Sequence, residues 1–161
     1  MRIGLISDTH DNLPLVERAV ECFNDARVSR VFHAGDYVAP FVARPLSKLA
    51  MPMTGVFGNN DGEKNGWYRA IKGLGDLHDG PYETVIGGMT FLLMHEPEGL
   101  ETLAASGKYD IIVYGHTHLP DERREGKTLI VNPGECGGWL TGRSSVALLD
   151  LPSKELTFID L

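Results

Sequence analysis

The stretch LISDTHDN, Leu5 to Asn12, places Asp8 and His10 directly after an apolar run that starts near the amino terminus. RIGLI has the length and composition of a strand. Behind the polar turn, DNLPLVERAVECFNDA has Asp11 or Asn12 at a capping position and Pro14 in the first turn. Leu15, Ala19, Cys22, Phe23 and Ala26 share one helical face. Two more strand-like runs, RVFHAG and MTGVFG, follow with a further helix-like segment between them. The chain therefore opens β-α-β-α-β, and its first helix is expected to cross between parallel strands.

Working outward, the pattern changes after about residue 80. YETVIGGMTFLLMH reads as two strands joined around Gly87-Gly88, a hairpin signal. EPEGLETLAASG has helical character, and YDIIVYG, KTLIVN, SSVALLDL and ELTFIDL read as later strands. The expected product is one α/β domain over residues 1–161, layered, with a later half that is antiparallel or mixed. DERREGK reads as a solvated turn, and GEKNGWYRAIKG as a loop whose Trp67 and Tyr68, with Trp139 elsewhere, are candidates to stack on a base.

Composition narrows the function. With 42% hydrophobic and 23% charged residues, the chain suits an ordinary globular domain with a sizeable core. A formal charge of −7 argues against broad nucleic-acid binding, which needs a basic field. The apolar run in MRIGLI is too short for a secretory leader, and no run approaches the roughly 20 residues of a membrane span. A cytoplasmic protein without a membrane partner is expected. Cys22 and Cys136 stand far apart without CxxC spacing, against a thiolate zinc site or a disulfide framework.

Seven residues of metal-ligand type fall where apolar runs end. Asp8 and His10 follow GLIS, Asp36 follows VFHAG, Asn59 follows GVFG, His95 follows FLLM, and His116 and His118 follow IIVYG. Side chains beyond the carboxyl ends of strands in α/β sheets converge on the ligand crevice. Taken singly, SDTHDN, GD and GNND are ordinary turns and His95 an ordinary histidine; the ordered set is what points to a site. If each D-x-H or H-x-H pair is extended, its two side chains point the same way, so two pairs imply more than one metal. Oxygen and nitrogen donors without sulfur suit manganese, iron, nickel, cobalt or zinc in a catalytic site. Two carboxylates against two divalent ions leave about +2, a site that attracts an anion. Such ions, roughly 3.5 to 4 Å apart, can hold a bridging hydroxide and clamp a phosphoryl group for in-line attack, so phosphate-ester hydrolysis is the expected chemistry. His33, inside VFHAG, reads as a core histidine or one supporting the ligands from behind, and His78 as a loop residue.

The ordered segments DTH, GD, GNND, the His95 of LLMHEP, and GHTH resemble the blocks of the calcineurin-like metallophosphoesterase superfamily, and NPGE at Asn132 to Glu135 resembles the NPGS of its small YfcE-like phosphodiesterase branch, which also includes the retromer-subunit fold. The resemblance covers essentially the whole chain. It implies a four-layer α-β-β-α sandwich with mixed sheets and a two-metal phosphodiesterase dependent on manganese or nickel. It further implies one metal on Asp8, His10 and His118, the other on Asn59, His95 and His116, and Asp36 bridging them. Similar proteins also tend toward dimers, so a homodimer is a candidate state.

Three departures stand out. Asn60 occupies a position where many members carry a histidine; an amide donates a hydrogen bond in the transition state but cannot act as a general acid, so aryl esters should react better than alkyl esters. Glu96 and Glu135 stand where glycine and serine are frequent; facing the site, either would lower its positive charge and favour diesters over dianionic monoesters, and otherwise each is a solvated loop carboxylate. Arg143 is a candidate phosphate contact or a surface ion pair. Two other functions compete: a phosphomonoesterase or nucleotidase, and an interaction module that keeps the fold without the chemistry. Four histidines retained at strand ends speak for the enzyme.

Overall fold

A computed structural model describes residues 1–161. The opening run becomes β1 (Arg2–Ile6), buried at every position after Arg2, which is the signature of a strand covered on both faces. It leads through the Asp8 turn to α1 (Leu13–Asp25), then β2 (Arg30–His33), a 3-10 turn at Pro40–Val42, α2 (Ala43–Leu46), β3 (Met53–Val56), α3 (Lys64–Ala70) and β4 (Gly75–His78). β1, β2, β3 and β4 pair in parallel, in that spatial order. On the other side of β1 lies the antiparallel hairpin of β10 (Ser145–Asp150) and β11 (Glu155–Asp160), which completes a six-stranded mixed sheet.

The second sheet has five strands. β5 (Tyr82–Ile86) and β6 (Met89–Leu93) form the expected hairpin around Gly87 and Gly88, both with positive φ as a tight primed turn requires. Next come α4 (Leu100–Ala105), β7 (Ile111–Val113), β8 (Asp121–Glu125) and β9 (Thr128–Asn132), and the spatial order is β5-β6-β7-β9-β8. β6, β7 and β9 run parallel while the two outer strands run antiparallel. Both sheets are therefore mixed.

Three apolar layers hold four structural layers together. Val16, Ala19, Phe23, Leu46 and Trp67 pack the early helices onto the first sheet. Leu5, Phe32, Val56, Phe91, Val113 and Val131 fill the space between the sheets. Leu100 and Ala104 of α4 cover the outer face of the second sheet against Ile112 and Ile130. This is the α-β-β-α sandwich that the resemblance implies. No helix is long and apolar enough to cross a membrane.

Several local expectations are corrected. Asn12 occupies the N-cap position of α1 but makes no side-chain capping bond: its amide donates to the Gly137 carbonyl and Asp11 accepts the Ala39 N–H, so both side chains tie loops together instead. DERRE is the edge strand β8, its side chains exposed from Glu122 onward, which suits an edge that must not pair further. The supposed loop at GEKNGWYRAIKG contains α3, and Trp67 is fully buried against Tyr37 with its indole N–H on the Val38 carbonyl, so it is unavailable to a base. His78 ends β4 and stacks on Tyr82.

Candidate metal centre

The carboxyl ends of β1, β2 and β3 meet those of β6, β7 and β9 along one rim of the sandwich. Backbone bonds stitch the rim: Asp8 N–H to Gly35 O, Gly115 N–H to His95 O, and Cys136 N–H to Ser7 O. All seven expected ligands lie there, but the pairs are not presented by extended segments. Asp8, His10, Asp36, His116 and His118 have φ between 40° and 68°, the left-handed region. Tight left-handed turns, rather than strand alternation, bring each D-x-H and H-x-H pair inward.

Two donor groups result, Asp8 with His10 and His118, and Asp8 with Asp36 and His95. In the first, His10 Nε2 and His118 Nε2 are 3.3 Å apart, and Asp8 Oδ1 lies 3.8 Å and 3.5 Å from them. In the second, Asp36 Oδ2 is 3.4 Å from His95 Nε2. Asn59 Oδ1 sits 3.0 Å from both His95 Nε2 and His116 Nδ1, which adds those two residues to the second group's edge. Asp36 Oδ2 is also 3.5 Å from His10 Nε2, placing it between the groups. Tetrahedral ligands at roughly 2.0–2.2 Å from an ion stand about 3.3–3.6 Å from one another, so these residues fit divalent cations.

The turns around the donors leave little freedom. Asp8 accepts the Ser7 hydroxyl at 2.6 Å and the His116 N–H at 3.1 Å. His95 Nδ1 donates to the Ala34 carbonyl at 2.7 Å, which leaves Nε2 with a lone pair facing the site. Asp36 accepts both the backbone N–H and the side-chain amide of Asn60, at 2.9 Å and 2.7 Å. A Cβ on Gly58 would collide with Asp36 Oδ1, and one on Gly115 with Ser7 Oγ. Buried His33 accepts the Gly35 N–H at Nδ1, faces Thr9 through Nε2 and stacks on Tyr37, supporting the ligand turns from behind. Asn132 braces the His116 turn, donating to Gly115 O and Thr117 Oγ1.

Charge follows this geometry. Burial favours the neutral Asp36 acid, yet hydrogen bonds from His95 and Asn60 outweigh it and hold the carboxyl well below the usual range. His10 is raised above its ordinary value by the hydrogen bond to Asp8, and His95 is raised because Asp36 and Asp8 outweigh its burial. Burial, with the neighbouring His95, keeps His33 neutral far below 6.5.

Asp61, which the sequence reading leaves out, supports the site, and of the two readings open for Glu135 the structure favours the one that faces it. Asp61 accepts three backbone N–H groups, from Asp36, Val38 and Gly58, and so locks the Asp36 turn to the Asn59 turn. Only its place in GNND hints at this. Glu135 is no solvated loop carboxylate: it is 1% exposed, and its Oε1 lies 3.1 Å from His118 Nδ1. Its position just past the apolar run KTLIVN, by the same strand-end rule as the other ligands, was the available signal. Asp61 and Glu135 thus place two further carboxylates behind the donor set of Asp8 and Asp36, and each lowers the positive potential that a cation bound there would present.

Three other residues of the sequence reading are placed as follows. Asn60 directs its side-chain amide at Asp36, 2.7 Å from Oδ2, and so holds that carboxylate. Arg143 leaves the set of candidates, because its guanidinium is bidentate on Asp160 at 2.8 Å and 3.0 Å on the exposed surface. Glu96 is exposed and lines a cleft of about 420 Å³ that opens beside Asn59 and His95, with Lys64, Asp79 and Glu98 also in its walls.

This rim of oxygen and nitrogen donors on a four-layer sandwich places the chain in the calcineurin-like phosphoesterase superfamily: the family model of the calcineurin-like phosphoesterase superfamily domain matches residues 1–154. Among its relatives is phosphodiesterase MJ0936 of Methanocaldococcus jannaschii, 38% identical over 159 residues and covering 96% of both chains. Phosphodiesterase YfcE of Escherichia coli K12 is 30% identical over 83% of this chain and 78% of its own. A solved archaeal phosphodiesterase superposes with a TM-score of 0.95 at 37% identity over the full length of both.

Proposed function

We propose that this protein is a two-metal phosphodiesterase acting on a small phosphodiester. The observation that carries the proposal is the position of Asp36 Oδ2, 3.5 Å from His10 Nε2 and 3.4 Å from His95 Nε2, between two donor groups. Asp8, His10 and His118 would hold one ion, Asn59, His95 and His116 the other, with Asp36 shared. Divalent ions there supply Lewis acidity toward the phosphoryl oxygens and a water acidic enough to attack near neutral pH.

The chain's own residues set the selectivity. A loaded centre whose positive potential is lowered by Glu135 behind His118, with Glu96 and Glu98 in the adjoining cleft, suits the single charge of a diester and disfavours the second charge of a monoester. Asn60 has no proton to release, and its amide already serves Asp36, so the leaving group departs without acid assistance from that position. Good leaving groups such as aryl oxides are therefore favoured. Relatives named as phosphodiesterases support the same class.

The test is to strip the protein with chelator, restore manganese, nickel, zinc or magnesium singly, and follow an aryl phosphodiester beside its monoester, with Asp36→Asn as control. Manganese or nickel should restore diester cleavage best, and the control should stay inactive. Faster monoester turnover would replace the diesterase by a monoesterase or nucleotidase, and failure to bind any ion would leave an interaction module.

A further inference from the structure

We infer that Glu135 is a positioning residue for His118, selecting the tautomer that presents its Nε2 lone pair to the metal; the inference rests on the metal centre proposed above. Nδ1 of His118 is buried and makes no hydrogen bond elsewhere. Glu135 Oε1, 3.1 Å away, is the charged acceptor that faces it. A carboxylate beside Nδ1 favours the proton there, leaves the Nε2 lone pair free and fixes the ring.

Glu135 is itself held. Oε1 accepts the Leu140 N–H at 3.0 Å, and Oε2 accepts the Thr141 N–H at 2.9 Å and the Thr141 hydroxyl at 2.7 Å. The same segment reaches the other histidine of the subsite, because Trp139 donates its indole N–H to the His10 carbonyl at 3.0 Å. One strap, Glu135 to Thr141, thus fixes His118 through its ring and His10 through its backbone. The second donor group has a different brace, the Ala34 carbonyl on His95 Nδ1.

The carboxylate is separable from the strap by Glu135→Gln. The least costly placement of the amide sets NH₂ at the Oε1 position, where it faces Nδ1 of His118 and forces the proton to Nε2, the wrong side for a ligand. We would titrate manganese alone into chelator-stripped wild type and variant by calorimetry, and record nitrogen chemical shifts of His118 in both metal-free proteins. Expected are two ions in the wild type, a 10- to 100-fold loss at one site only in the variant, and a change from the Nδ1–H to the Nε2–H tautomer. Thr141→Val, which removes one anchor and keeps the charge, should weaken the same site less; it also serves if the Gln variant does not fold. Two ions bound equally by wild type and both variants, or an unchanged tautomer, would overturn the inference while leaving the metal centre intact. No ion bound by the wild type would overturn both.

Discussion

Replacing Asp61 by Asn probes how the two central turns are locked. Oδ2 accepts N–H groups from Asp36 and Gly58 at 2.9 Å and 2.7 Å, and Oδ1 accepts the Val38 N–H at 2.8 Å. The best fit for an amide keeps its oxygen on the pair and turns NH₂ toward Val38, donor against donor. Leaving that N–H unpaired costs about 1–3 kcal/mol, and the other two bonds each lose about 1 kcal/mol of charge assistance. Relief of repulsion between Asp61 and Asp36 works the other way, so the net loss should be about 2–3 kcal/mol. For a domain of this size that is roughly 4–12 °C in Tm. Urea unfolding of metal-free protein measures it, with the slope m checked for constancy. A loss below about 1 kcal/mol at unchanged m would refute the three-bond reasoning, and manganese affinity should fall in parallel because Asp36 N–H is one of the bonds broken.

Asn60→His should raise turnover of alkyl phosphodiesters relative to aryl ones by about 10-fold or more, by supplying an acid near the leaving group; an unchanged ratio in paired initial-rate assays would count against the role given to the missing proton. Gly58→Ala should leave a folded protein that binds manganese at least 10-fold more weakly, since its new methyl displaces Asp36; calorimetry giving wild-type affinity would show the turn to be more yielding than drawn. His33 has a folded pKa far below its unfolded value of about 6.5, so below that pH the unfolded chain binds a proton that the native state refuses. Its contribution to stability is therefore full above pH 6.5 and falls by about 1.4 kcal/mol between pH 7.5 and 5.5. Raised His10 and His95 act in the opposite sense, so the comparison is between wild type and His33→Gln, both metal-free. Parallel urea midpoints at the two pH values would dismiss the effect.

What the chain discloses in advance follows from how local each feature is. β1 and β6 are legible because their apolar runs need no partner to be recognised, and Asp8 or His95 because a polar donor just past such a run has one place to go. β8 escapes because DERRE is all charge, and an edge strand earns its conformation from β9 rather than from its own residues. α3 escapes because Gly66 weakens its helical pattern while burial of Trp67 supplies what propensity does not. Asp11 and Asn12 have the chemistry of caps, but partners at Ala39 and Gly137 compete for them. Glu135 meets His118 only when the strap closes over β1, a contact between residues distant in the chain. The pattern thus reveals the donors better than their supports.

The left-handed turns at Asp8, His10, Asp36, His116 and His118 also act as a filter on chemistry. Among residues with side chains, aspartate, asparagine and histidine tolerate that backbone best, and β-branched or bulky ones poorly. A loop with this shape accepts hard oxygen and borderline nitrogen donors whatever ion is present. Evolution of the ligand set is confined by backbone sterics to a short alphabet, and a change of metal preference would have to come from the supports before it came from the ligands.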